Sequence, residues 1–214
     1  MIIPKLHYIS QGNSPKEHLD NIQKACSSGA ELVQLRLKNI SEKKTLKIAT
    51  QAREITSHFQ TRLIINDHYK IAKEVKADGV HLGKNDVCPT LARKHLHGWQ
   101  MIGGTANTME DCENLLDKQI DYISLGPYKK TTMKENLSPV LGLRGYIAIT
   151  DVLMTPIPII GVGGITTDDV KALLEAGVSG IAVSTEITRD FDSIKTFNQL
   201  LKASSTAEQR YTFE

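Results

Sequence analysis

Short apolar runs alternate along the chain with longer segments that are apolar on one side only. Residues 6–9, 32–37, 62–65, 79–82, 99–102, 122–125, 157–162 and 180–183 are brief, mostly apolar stretches, the length and composition of buried strands. The segments between them carry apolar residues at helical spacing. Ser14-Pro15-Lys16-Glu17 reads as a helix start, with a Ser cap, Pro at the first helical position and Glu three residues after the cap. Leu19, Ile22 and Ala25 then repeat one face, and Gly29 ends it. Further helices are expected over 41–59, briefly through Ile71-Ala72, and over 89–97, 107–118, 143–152, 166–176 and about 193–203.

Eight strands each followed by a helix or a connecting loop predict a parallel sheet buried on both faces. Closure into a TIM (β/α)8 barrel is expected, as one α/β domain over 1–203 with a polar tail over 204–214. The rival is an open doubly wound sheet. Its usual mark is missing, because no Gly-x-Gly-x-x-Gly turn follows the first strand.

Composition narrows the function classes. The chain has 214 residues, enough for one domain with a sizeable core and short for two. A formal net charge of +2 argues against a dedicated nucleic-acid binder, whose affinity rests on many excess Lys and Arg. No apolar run approaches the roughly 20 residues that span a bilayer, and Met1-Ile2-Ile3-Pro4-Lys5 lacks the pattern of a secretory signal. Cys26, Cys88 and Cys112 are odd in number and widely spaced, which fits neither a disulfide framework nor a zinc site. The expectation is a cytoplasmic protein with reduced thiols and small-molecule partners, without membrane or nucleic acid. A homo-oligomer is compatible with the sequence, which does not set the number of chains.

In a barrel of this kind chemistry sits at the C-terminal ends of the strands. Gln34, Arg36 and Lys38 are two apart and share one side of the second strand, while Val33, Leu35 and Leu37 face the covering helices. The first side is the barrel lumen, where a charge needs a partner or a ligand. Asn66-Asp67 follows the third strand and Gly83-Lys84-Asn85-Asp86 the fourth. Two carboxylates at adjacent strand ends suit a shared hard cation, Mg²⁺ on a substrate phosphate; alternatively each Asp caps the helix that follows.

Gly103-Gly104-Thr105 follows the fifth strand. The loop over 126–134, after the sixth, carries Lys129, Lys130, Thr131, Thr132 and Lys134. Gly161-Val162-Gly163-Gly164-Ile165-Thr166 follows the seventh, and Ser184-Thr185 opens a helix after the eighth. Glycines that let backbone approach, together with N–H groups at helix starts, suit a phosphate. His81, between Val80 and Leu82, is expected to face the lumen as a satisfied core histidine. His95 and His97 end a helix at the surface. Cys88 has no base beside it and is not read as a nucleophile. The chain thus presents two anion sites, one cationic with a candidate metal and one lined by amides, which suggests transfer between two phosphorylated substrates.

Several motifs occur together and in order: Gln34-Leu35-Arg36-Leu37-Lys38, Ile64-Ile65-Asn66-Asp67, Asp78-Gly79-Val80-His81-Leu82-Gly83 with Asp86, Ile102-Gly103-Gly104-Thr105, Asp121-Tyr122-Ile123-Ser124-Leu125-Gly126-Pro127, and Gly161-Val162-Gly163-Gly164-Ile165. The series resembles the thiamine phosphate synthase (thiamine-phosphate pyrophosphorylase) family over nearly the whole chain to about Ile187. The resemblance implies a TIM-barrel transferase. It would join 4-amino-5-hydroxymethyl-2-methylpyrimidine diphosphate to a thiazole phosphate with Mg²⁺, giving thiamine phosphate and pyrophosphate through a pyrimidine-methyl cation.

By position it implies Asp67 and Asp86 as Mg²⁺ ligands, and Arg36, Lys38, Asn66 and Lys134 on the diphosphate. Arg36, Lys38 and Lys134 would be the catalytic cations. Gln34 and Thr105 would contact the pyrimidine, and Thr131, Gly164, Ser184 and Thr185 the thiazole phosphate. The chain departs from the family pattern at Met133, where a second Thr is usual, at His68, often Arg, and at Thr105, usually Ser. Two alternatives remain: a thiazole tautomerase of the same barrel family, which would not need the paired aspartates, and a non-catalytic thiamine-precursor binding protein.

Overall fold

Ser14 accepts the Glu17 amide at 3.2 Å and Pro15 supplies the first helical residue, so the chain turns into its first helix where the sequence signals it. The Glu17 carboxylate reaches back one residue further than expected, to the Asn13 amide at 2.7 Å. In this computed structural model, which describes residues 2–130 and 139–202, strand and helix then alternate to the end.

The elements are β1 (Leu6–Ile9), α1 (Pro15–Ser27), β2 (Leu32–Leu35), α2 (Glu42–His58), β3 (Arg62–Asn66), α3 (Tyr69–Glu74), β4 (Gly79–Leu82), α4 (Pro89–His95), β5 (Met101–Ala106), α5 (Met109–Leu116), β6 (Tyr122–Leu125), α6 (Gly142–Leu153), β7 (Ile159–Val162), a 3-10 turn (Thr167–Asp169) leading into α7 (Val170–Glu175), β8 (Gly180–Val183), α8 (Thr185–Arg189) and α9 (Ser193–Leu200). The strands pair in parallel and in sequence order, and β8 closes on β1. The single-domain TIM barrel is therefore observed. The tail expected over 204–214 lies outside the described residues. No helix among the described residues is long and apolar enough to cross a membrane.

Alternation along each strand sorts the side chains into two cores. Val33, Leu35, Leu63, Ile65, Val80, Leu82, Ile123 and Leu125 pack outward against the helices. Leu32, Ile64, Met101, Tyr122, Ile160 and Ala182 form a separate cluster inside the barrel. Going up the inner side, residues become polar in steps of two: Leu32 and Gln34 from β2, then Arg36 and Lys38 in the segment directly after it, and Ile64, Asn66 from β3. The lumen is therefore apolar at the floor and charged at the mouth. At the opposite end, Asp78 accepts from Leu63 N (2.8 Å) and Arg53 (2.5 Å), and Asp121 accepts from Ile102 N (2.7 Å) and Arg93 (2.5 Å). The same clamp is thus repeated beneath β4 and β6.

The fifth strand is displaced from its expected place. Residues 99 and 100 precede it, and Gly103-Gly104-Thr105 lie within it rather than after it. Trp99 stacks on His97 and is half-exposed. Gln100 is buried and donates to the Ala72 and Ala77 carbonyls at 2.9 and 2.8 Å. The glycines, usually strand breakers, serve here to admit a neighbour: a Cβ on Gly103 would lie 2.0 Å from the Tyr122 ring. Gly103→Ala is expected to cost about 1–3 kcal/mol or more in denaturant unfolding. Tyr122→Leu, which shortens the clashing side chain, is expected to relieve much of that cost. An unchanged midpoint in the single variant would remove this account.

Candidate active site

Seven of the expected site residues meet in one place. Gln34, Arg36, Lys38, Asn66, Asp67, Asp86 and Thr105 all line a cleft of about 240 Å³ at the C-terminal ends of the strands. Their positions follow from the strand alternation just described, which brings four strand ends to a common mouth.

The cationic side comes from β2. Lys38 Nζ lies 2.5 Å from Asp67 Oδ2. Arg36 is half-buried and makes no ion pair with any described residue. Burial pulls its pKa down and the charge of Asp67 acts against that. Such a cation gains most from an anion brought to it.

The acidic side comes from the ends of β3 and β4. Asp67 sits in the left-handed region (φ +66°), which the short polar Asp side chain tolerates. Its amide donates to the His81 carbonyl (2.8 Å), and His68 N donates to Asn66 O (2.8 Å). The turn therefore hangs from β4 and reverses within a single residue. Asp86 accepts from Gly83 N at 2.6 Å and shares a hydrogen bond with Asp67. Neither carboxylate caps a helix, because His68 and Cys88 occupy the cap positions; the capping alternative is thereby excluded.

For Asp67, burial acts to raise the pKa, but the hydrogen bond with Asp86 and the Lys38 ammonium outweigh it and hold the group low. For Asp86, burial and then Asp67 push the pKa up. Two carboxylates in contact, with an ammonium on one of them, form a hard-oxygen donor set of the kind Mg²⁺ takes with few protein ligands. No group of three or more His, Cys, Asp or Glu that could hold a metal occurs among the described residues; the pair offers two carboxylates. The Asn66 amide nitrogen beside it is buried without a hydrogen-bond partner among the described residues, a donor that a bound ligand oxygen would satisfy.

Deeper in the cleft the lining turns to imidazole, hydroxyl and apolar groups. His81 places Nε2 2.9 Å from Thr105 Oγ1 and Nδ1 3.2 Å from Tyr122 OH. It is the satisfied lumen histidine that the alternation predicts. His7 lies edge-on to Tyr122 with its Nε2 2.9 Å from Pro4 O. Burial drops its pKa to about 4, so this imidazole is neutral at physiological pH.

The remaining expected residues lie elsewhere. Gly164 (φ +64°) packs against Lys129 and Lys130, where a Cβ would meet Lys129 at 2.9 Å. Ser184 donates to Ile9 O at 2.8 Å and precedes Thr185, the first residue of α8. None of these three lines the cleft. Thr131 and Lys134, with Met133, lie outside the described residues. Of the loop's lysines, Lys129 is already committed, holding both Asp169 oxygens at 2.7 and 2.8 Å.

Ser10 was not among the residues expected at the site. Its amide donates to Gln34 O (2.9 Å), its hydroxyl oxygen accepts from Arg36 N (3.1 Å), and the same oxygen lies 2.8 Å from His18 Nδ1. It therefore stitches the end of β1 to the segment bearing Gln34, Arg36 and Lys38. The signal available in the sequence was a polar residue directly after β1, the one strand end left without a candidate. Ser10→Ala leaves a buried amide and an imidazole nitrogen without this partner. It is expected to lower stability by about 1–3 kcal/mol in urea unfolding. A wild-type midpoint would show that the stitch carries no weight.

Comparisons with known proteins agree with one another. The model of the thiamine monophosphate synthase family matches residues 6–187. The thiamine-phosphate synthase of Flavobacterium johnsoniae is 42% identical over 187 residues, covering 86% of this chain and 88% of that one. The thiamine-phosphate synthase of a Bacteroides fragilis strain is 37% identical over 199 residues, covering 92% and 98%. Among solved structures, thiamine phosphate pyrophosphorylase from Pyrococcus furiosus superposes with a TM-score of 0.78 at 25% identity, covering 92% of this chain and 95% of that one. With a family model spanning most of the barrel and relatives this similar over most of their length, the chain belongs to the thiamine monophosphate synthase family of transferases.

Proposed function

We propose that this chain couples 4-amino-5-hydroxymethyl-2-methylpyrimidine diphosphate to a thiazole ethyl phosphate, forming thiamine phosphate and pyrophosphate. The observation that carries this reading is the half-buried Arg36, without an ion pair to any described residue, beside Lys38 and the Asp67–Asp86 pair, in one cleft whose lining includes Gln34 and Thr105. A cleft graded from apolar floor to charged mouth suits a flat heterocycle carrying a diphosphate.

In this reading the bond between the pyrimidine methylene carbon and the bridging oxygen breaks, and pyrophosphate leaves with the electron pair. The thiazole nitrogen then donates its lone pair to the resulting methylene cation. No protein nucleophile is needed in this step. Arg36 and Lys38 stabilise the charge growing on the departing pyrophosphate, which is where fixed cations act most strongly. Asn66 donates to a phosphate oxygen. Gln34 and Thr105 hold the pyrimidine in plane, and Thr105 is itself held by His81. Thr131, Gly164, Ser184 and Thr185 would hold the thiazole phosphate, and Lys134 would bridge to the diphosphate. Asp67 and Asp86 would hold Mg²⁺, which when bound neutralises diphosphate oxygens.

The test is to mix the protein with both substrates, with and without Mg²⁺, and measure pyrophosphate and thiamine phosphate. Stoichiometric formation of both, dependent on Mg²⁺, is expected. No product above background would overturn the reading, and pyrophosphate released without the thiazole phosphate would mark a hydrolase instead.

A further inference from the structure

Of the nine large apolar side chains exposed among the described residues, five lie between 140 and 154: Val140, Leu143, Ile147, Val152 and Met154. The other four, at Ile2, Leu91, Trp99 and Leu200, are scattered, as is normal for single surface residues. The concentration on α6, with Leu143, Ile147 and Val152, and at its two ends, with Val140 and Met154, is not. Tyr146, Ile149 and Leu153 already bury the inner face of this helix. Its outer face therefore carries a second apolar stripe that the barrel does not use.

The order of that outer face is self-complementary. Its exposed positions are Leu143, Arg144, Ile147, Ala148, Asp151 and Val152. Place a two-fold axis midway between Ile147 and Ala148. An antiparallel copy of α6 then sets Leu143 against Val152, Arg144 against Asp151, and Ile147 against Ala148. Each apolar residue meets an apolar one and each charge meets its opposite, twice over. Neither Arg144 nor Asp151 is ion-paired to another described residue. Ala148 at the crossing permits the 8–10 Å approach of packed helices. A face that matches itself about an axis is what an isologous contact requires.

We propose that α6 is a homodimerisation surface, pairing antiparallel with α6 of a second copy of this chain. Since α6 lies on the outside of the barrel and the cleft at the strand ends, the pairing leaves the candidate active site open. The inference does not depend on the proposed reaction.

The test uses charge exchange, read by sedimentation equilibrium over a concentration series of the full chain. Wild type is expected to form dimers. Arg144→Asp, which faces two aspartates with two more, and Asp151→Arg, the converse, are each expected to associate about tenfold or more weakly. A one-to-one mixture of the two variants is expected to recover a heterodimer, because every like-charged pair becomes an opposite one. A wild-type monomer would overturn the proposal, as would a dimer that both single variants leave intact, or a mixture no tighter than its components. A chain that dimerises only after removal of 203–214 would also overturn it, by showing that the tail is the occupant of this face.

Discussion

Arg36→Ala is expected to lower kcat by about 10²–10³-fold with little effect on folding. The side chain is half-buried and makes no ion pair with any described residue, and burial disfavours its charge. Its removal takes away no ion pair with any described residue, only a longer-range attraction to Asp67. The segment stays in register through the Ser10 contacts to Gln34 and the Arg36 amide, which involve only backbone atoms of those residues. The guanidinium does its work when the diphosphate departs, so the loss should fall on kcat more than on KM. Arg36→Lys is expected to recover only part, because an ammonium cannot reproduce a planar bidentate contact. Steady-state kinetics beside a thermal melt would check this. Near-normal kcat in Arg36→Ala would remove Arg36 from the proposed machinery.

The elements whose side-chain pattern agreed with their role were readable from sequence. Along β2 and the segment that follows it, Gln34, Arg36 and Lys38 alternate with Val33, Leu35 and Leu37, and the structure sends the first set to the cleft and the second to the helices, although the strand itself ends at Leu35 rather than Leu37. β5 was misplaced because Gly103 looks like a terminator and Trp99 like a core residue. The reason for that glycine is the Tyr122 ring on the next strand, which no local pattern reveals. Asp67 and Asp86 could be read from sequence either as helix caps or as a pair. Only the left-handed turn at Asp67 and the bond from Gly83 N bring the two carboxylates together. Ser10 escaped because its role depends on a contact across 26 residues with Arg36. Helical periodicity located α6 but could not say which of its apolar residues stay exposed.

The Asp67–Asp86 pair carries the other large expected effect. Asp86→Asn should abolish Mg²⁺-dependent activity, by about 10²-fold or more in kcat/KM, while raising the thermal midpoint of the metal-free protein. The sign follows from the two shifts. Asp86 is raised, by burial and then by Asp67. Its contribution favours the fold below its unfolded pKa and is lost as pH rises through the folded one, leaving a penalty at neutral pH. Asp67 is lowered on balance, with the Asp86 hydrogen bond and Lys38 overcoming burial. Its contribution is present above its unfolded pKa and is lost as pH falls. Asparagine at 86 keeps an acceptor for Gly83 N and ends the repulsion. Both carboxylates are partly exposed, so water screens the effect and the rise at neutral pH should be modest, about 2 °C. It should shrink as pH falls and Asp86 in the wild type takes up its proton. Added Mg²⁺ with pyrophosphate should then stabilise wild type and not the variant, a readout independent of turnover. If Mg²⁺ and pyrophosphate raise both midpoints equally, Asp86 is not a ligand. A drop in the variant's metal-free midpoint would instead mean that the pair stabilises the fold and that its repulsion is already relieved.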